Sequence, residues 1–157
     1  MQGNPEIIEL LNEVLTAELT AINQYFVHAK MCQNWGYKAL HAYIRAESID
    51  EMKHADQVID RILFLDGAPN MTRYSPIRVG KSVRQQLEND RDLEVQAIDR
   101  LNRGIAAAVR LADNGSRELL AGILVSEEAH LDWLEAQLTL MAQAGEQNYL
   151  AQQILAK

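Results

Sequence analysis

Glu47-Ser48-Ile49-Asp50-Glu51-Met52-Lys53-His54-Ala55-Asp56 is the stretch on which the fold turns. At its centre is Glu51-x-x-His54, and the same spacing returns in Glu127-Glu128-Ala129-His130. On a helix, three residues make nearly one turn, so each pair presents a carboxylate and an imidazole on one face. Stepping outward from Glu51 by three and four gives Leu40, Ile44, Glu47, Glu51, His54, Val58, Arg61 and Leu65. Around Glu127 the same stepping gives Ser116, Leu120, Ile123, Glu127, His130, Leu134, Gln137 and Met141. Two further seams read Ile7, Leu11, Val14, Glu18, Ala21, Tyr25, His28, Cys32 and Val83, Leu87, Asp90, Glu94, Ala97, Leu101. Apolar residues at this period mark the buried face of a helix. Every one of these seams carries a glutamate near its middle, where a core should be apolar.

Helix punctuation agrees with the seams. Asn4-Pro5 reads as an N-cap and first helical position, and Gly36 ends the first pattern after about residue 34. A second pattern covers about 38–65 and is closed by Gly67 and Pro69. Residues 66–81 read as a long connection. Ser82 caps a third helix to about Asp113, Asn114-Gly115 reads as a turn, and Ser116 caps a fourth helix to about Ala144. Gly145 breaks it, and a short helix over about 147–155 follows. Short links make antiparallel neighbours, and the long link crosses the bundle end to end. The expected fold is all-α, a four-helix bundle with a long crossover between helices two and three and a short fifth C-terminal helix. The bundle spans about 5–144, and no linker divides 1–157 into more than one domain.

Composition sets other classes aside. With 48% hydrophobic residues in 157, the chain supports a core, and its single cysteine, Cys32, excludes a disulfide framework. Apolar runs such as Ile62-Leu63-Phe64-Leu65 are far too short to span a membrane. A net charge of −7 offers no basic face for nucleic acid. Met1-Gln2-Gly3-Asn4-Pro5-Glu6 has no basic region followed by an apolar stretch, so a cytoplasmic location is expected.

A buried carboxylate is costly unless paired or bound to a metal, and four in one layer repel each other. Divalent cations resolve this, because four glutamates and two neutral imidazoles form a mixed O/N ligand set. Glu18 and Glu51 lie 33 positions apart, as do Glu94 and Glu127. The two halves thus offer the same triple at the same interval, one metal served mainly by each. The set is similar to that of ferritin-like di-iron and di-manganese bundles, which use one Glu from each of two helices and Glu-x-x-His from the other two.

The chain also resembles the bacterioferritins, the haem-containing branch of the ferritins. The resemblance is carried by Ala21-Ile22-Asn23-Gln24-Tyr25-Phe26, by Glu47 to Asp56, by Glu127-Glu128-Ala129-His130-Leu131-Asp132-Trp133-Leu134-Glu135 and by Asn148-Tyr149-Leu150. It implies iron storage as ferric mineral in a hollow 24-subunit shell built from dimers. It implies a ferroxidase di-iron centre held by Glu18, Glu51, His54, Glu94, Glu127 and His130, with Glu51 and Glu127 bridging and O2 or H2O2 as oxidant. It implies that Met52 gives one thioether to a haem b whose other ligand comes from a two-fold mate, with Ile22, Phe26 and Ile49 as apolar lining. The haem then carries electrons for iron release, supplied by a small ferredoxin.

Around this set, Tyr25 lies two turns after Glu18 on the same face. It either hydrogen-bonds a ligand carboxylate or supplies an electron, or it is a core tyrosine with its hydroxyl satisfied. Trp133 follows His130 by three, and Glu47 and Asp50 flank the site, Asp50 as an iron guide or as a solvated charge. His28 and His41 read as structural or surface residues. The chain has Val58 where some relatives carry tyrosine, Ala46 where some carry histidine, and Ala151 where a pore-lining glutamine occurs. Two other readings compete: a small di-iron carboxylate oxidase or peroxidase not used for storage, and a shell subunit or haem carrier with a vestigial metal site.

Overall fold

The structure, a computed structural model, describes residues 1–155. Helices α1 (Pro5–Trp35), α2 (Lys38–Phe64), α3 (Val83–Arg110) and α4 (Asn114–Ala144) form the bundle, and α5 (Glu146–Gln153) follows. The hairpins α1/α2 and α3/α4 meet through α1 against α3 and α2 against α4. Among the described residues no helix is long and apolar enough to cross a membrane.

Local chemistry accounts for most boundaries. The Asn4 side chain accepts from the Glu6 N–H (2.8 Å), and Ser82 accepts from the Gln85 N–H (3.2 Å). Gly36 closes α1 with φ 91°, a left-handed geometry that glycine adopts freely. The start of α4 differs from the sequence expectation. Asn114 and Gly115 are helical, and the cap is Asp113, not Ser116. Asp113 Oδ1 accepts from the Ser116 N–H (3.0 Å), and Oδ2 accepts from the Ser116 hydroxyl (2.7 Å). Arg61 of α2 donates to Asp113 Oδ1 (2.8 Å), so a long-range ion pair fixes the carboxylate at the helix N-terminus and overrides the Asn-Gly turn signal. Helix α3 stops at Arg110, short of the expected 113, because the chain reverses at Ala112 with φ 54°. A left-handed alanine costs roughly 1 kcal/mol. Ala112→Gly is therefore expected to raise stability by about 0.5–1 kcal/mol, read as a higher midpoint in urea unfolding.

The apolar core is in two parts. One holds Ile7, Leu11, Leu15, Val58, Ile62, Leu101, Leu120 and Ile123, and the other Tyr25, Cys32, Leu40, Ile44, Leu87, Leu134, Met141 and Tyr149. The mid-helix glutamates lie between them. Helix α5 docks through Tyr149, which is 1% exposed and donates to Gln137 Oε1 (2.8 Å).

The crossover runs along α1 and satisfies its own backbone there. Asn12 Oδ1 accepts from the Asn70 N–H (2.8 Å), Thr20 Oγ1 from Ser75 (2.9 Å), Gln24 Oε1 from Arg78 (3.0 Å) and His28 Nε2 from Gly80 (2.9 Å). Acceptance at Nε2 leaves the His28 proton on Nδ1, which donates to Asp90 Oδ1 of α3 (2.9 Å). Gln24 Nε2 donates to the same oxygen (2.9 Å). Residue 80 has no room for a side chain, since a Cβ would stand 2.4 Å from the Gln86 backbone nitrogen.

Candidate metal centre

Each seam helix delivers its glutamate to the gap between the two core halves, and Glu18, Glu51, Glu94 and Glu127 are all 1–2% exposed. Ligand atoms of Glu18, Glu51, His54 and Glu127 lie within 4.8 Å of one another, as do those of Glu47, Glu51 and His130. Glu51 is common to both groups. His54 Nδ1 stands 3.0 Å from Glu127, 3.6 Å from Glu18 and 3.6 Å from Glu51. His130 Nδ1 stands 3.0 Å from Glu94 Oε1 and 3.4 Å from Glu47. The Tyr25 hydroxyl donates to Glu94 Oε1, and its ring meets His130 edge-on at 5.2 Å.

The donor set fits cations. Glu18 Oε2, Glu51 Oε2, His54 Nδ1, Glu94 Oε2 and Glu127 Oε1 are buried without a hydrogen-bond partner. Buried polar atoms are normally satisfied, so a knot of unsatisfied carboxylate oxygens calls for a positive charge among them. Burial pushes all four glutamates above the usual carboxylate range. Their mutual repulsion adds to this, with Glu18 raising Glu51 and Glu127 raising Glu94. Glu127 rises to about 7. Burial pushes His54 down, but its contacts with Glu127, Glu18 and Glu51 outweigh that and raise it to about 12. Hard carboxylate oxygens with one imidazole on each side suit iron, manganese or zinc.

The residues expected at the site do not all sit alike. Glu94 falls outside both groups, its Oε1 shared by Tyr25 and His130, whereas Glu47, read as a flank, lies inside the second group. Asp50 is half-buried and pairs with Lys53 (3.4 Å) on a groove of about 420 Å³ between α2 and α4, which His54 also lines. Trp133 stacks on Tyr43 at 3.8 Å and 14°, and both rings lie 6.3 Å from His130. Met52 is 54% exposed, with Phe26 and Ile49 also exposed, away from the carboxylates. His28 belongs to the crossover clamp and His41 Nδ1 bonds the Ala29 carbonyl (2.9 Å), so both take structural positions.

Sequence reading missed Tyr43 and Arg100. Tyr43 precedes Glu47 by four and shares its face, a signal that was present. Arg100 follows Glu94 by six and reaches the site only through the way α3 packs on α1.

Comparison with known proteins bears on the family. The ferritin-like domain family matches residues 8–144. The chain is 51% identical to bacterioferritin BfrA of Mycobacterium tuberculosis, covering 97% of this chain and 96% of that protein. The chain belongs to the bacterioferritin family. It is also 53% identical to the bacterioferritin of Streptomyces coelicolor, over 96% of this chain and 90% of that one. With the bacterioferritin of Brucella melitensis it shares 42% identity over 95% and 92%. In this bacterioferritin-family chain the domain match ends with α4, and the alignments to relatives continue through most of the remainder.

Proposed function

We propose that this chain stores iron, oxidising Fe(II) at the carboxylate centre and depositing ferric mineral inside a shell of 24 subunits built from dimers. The observation that supports it most is the pair of buried ligand groups sharing Glu51, set between two apolar core halves. Ferrous ions are the substrate. Glu18, Glu51, His54 and Glu127 take one, and His130 with Glu94, Glu47 and the shared glutamates takes the other. Glu51 and Glu127 bridge. Binding draws the glutamates into their ionised form, so protons held at raised pKa leave as the cations enter. Hard oxygen donors favour the ferric state. Two Fe(II) give one electron each, and O2 with two protons becomes H2O2; with H2O2 as oxidant and two more protons the product is two waters. Tyr25 positions Glu94 through its hydroxyl, and Trp133 and Tyr43 wall the His130 side.

Met52 would hold a haem b through its soft thioether; it is exposed, as are Phe26 and Ile49, and Ile22 is half-buried. One thioether per chain makes a symmetric site only when a second copy supplies the other. Bound haem supplies electron transfer for iron release, fed by a small ferredoxin in the cytoplasm. Met52→Leu is expected to lower haem content, measured by the Soret band of purified protein, by about tenfold or more. The rate of ferrous oxidation stays at the wild-type value. Retained haem would remove Met52 from this role.

The storage reading is tested by adding Fe(II) under air to metal-free protein and following absorbance and particle size. A fast phase ending near about two irons per chain, then slow continued uptake in a large assembly, is expected. Saturation at two in a small oligomer would overturn storage and favour a di-iron oxidase.

A further inference from the structure

One of the openings onto the buried carboxylates is narrow. Between α1 and α3 lies a cleft of only about 10 Å³, lined by Glu18 and by Ala17, Ala21 and Ala97 among others. That is about the room one water needs, so a hydrated ferrous ion passes only if something moves. Alanines on packed helices have no rotamers to change. Arg100 also lines this cleft, and it is a long side chain with several free torsions.

Arg100 also lines a second, wider hollow outside, about 350 Å³, beside Glu13, Thr16, Arg73 and Arg103. Arg73 is held by Glu9 (2.9 Å) and Arg103 by Asp99 (3.1 Å). Among the described residues, the half-buried Arg100 guanidinium has no such hydrogen-bonded partner. Burial, and then the neighbouring Arg103, lowers its pKa from the usual value, while Glu13, Glu18 and Asp99 act the other way. Arg100 thus lines both the cleft that holds the inner carboxylate Glu18 and the hollow that holds the outer one, Glu13.

We infer that Arg100 is a swinging gate on cation entry, closed toward Glu18 and open toward Glu13. The inference rests on the metal reading above. In the closed position its charge opposes an incoming dication and its bulk fills the cleft. In the open position Glu13 holds the guanidinium and Glu18 is free to receive the ion. Arg100 acts through access and touches no reacting atom.

The test uses the assembled, metal-free protein and Co(II), followed by its visible absorbance after rapid mixing. Wild type and Arg100→Met are expected to reach the same final amplitude. Loading of Arg100→Met is about tenfold faster, and release to EDTA is faster by a similar factor, so affinity stays nearly constant. The difference persists at about 0.5 M NaCl, where through-space charge effects are screened. Glu13→Gln, which withdraws the outer partner, loads about threefold more slowly. Wild-type rates in both variants would overturn the gate and send entry to the groove beside His54. Faster loading seen only at low salt, with tighter affinity, would also overturn it and make Arg100 a fixed charge. If wild type fails to take up Co(II) stoichiometrically, the metal reading itself falls, an outcome distinct from either.

Discussion

Glu51→Gln is expected to lower the initial rate of ferrous oxidation about a hundredfold while making the metal-free fold more stable. Glu51 is 1% exposed and is the one residue shared by both ligand groups, so its loss weakens both positions at once. An amide keeps the volume, so no cavity opens, but it removes the charge that in the proposed function holds two cations together. Stability moves the other way. Burial, then the neighbouring Glu18, pushes the Glu51 carboxyl well above its usual range. The unfolded chain ionises this group more readily than the folded chain does, which favours unfolding. Glutamine removes that difference, so the metal-free variant is expected to unfold at a higher temperature than wild type at pH 7. Oxygen consumption on Fe(II) addition reads the first effect, and thermal unfolding in EDTA reads the second. A variant that is both inactive and less stable would place Glu51 in a structural role.

The second large effect is on pH and metal together. A glutamate whose folded pKa is raised contributes stability that is full below its unfolded value and lost as pH rises through the folded value. For Glu127 that window runs from 4.5 to about 7. The metal-free protein therefore loses about 3 kcal/mol from this group alone between pH 4.5 and 7. His54 acts in the same direction at higher pH. Raised from 6.5 to about 12, it contributes fully below 6.5 and loses that contribution as pH climbs toward 12. A bound cation reverses the carboxylate part, because it prefers ionised ligands. Calorimetry in EDTA is expected to show a midpoint lower by roughly 5–10 °C at pH 7 than at pH 5, with the increment from added Co(II) larger at pH 7. A midpoint that rises from pH 5 to 7 in EDTA would show that the glutamates are paired internally instead.

Much of this architecture is legible along single helices. The seams read from periodicity are the buried faces, and Glu18, Glu51, His54, Glu94, Glu127 and His130 all lie in the gap between the core halves. Caps at Asn4 and Ser82 and the break at Gly36 are local chemistry and read directly. What was not legible depends on neighbours from other helices. Asn114-Gly115 looks like a turn until Arg61 of α2 pins Asp113 as the cap. Asn12, Thr20 and Gln24 look like stray polar residues on α1 until the crossover lies along them. The positions of Glu47 and Glu94 relative to His130 follow from side-chain rotamers, which spacing does not specify. Met52 is the opposite case: its exposure gives it no role within one chain, and only the family resemblance points to a mate.

The central claim is that these side chains hold two cations bridged by glutamate. Its most direct test is anomalous diffraction at the iron edge from crystals soaked anaerobically in Fe(II). Two peaks are expected in each chain, one among Glu18, Glu51, His54 and Glu127 and one beside His130, with Glu51 between them. Iron found only on surface carboxylates, or a buried layer with no peak, would contradict it.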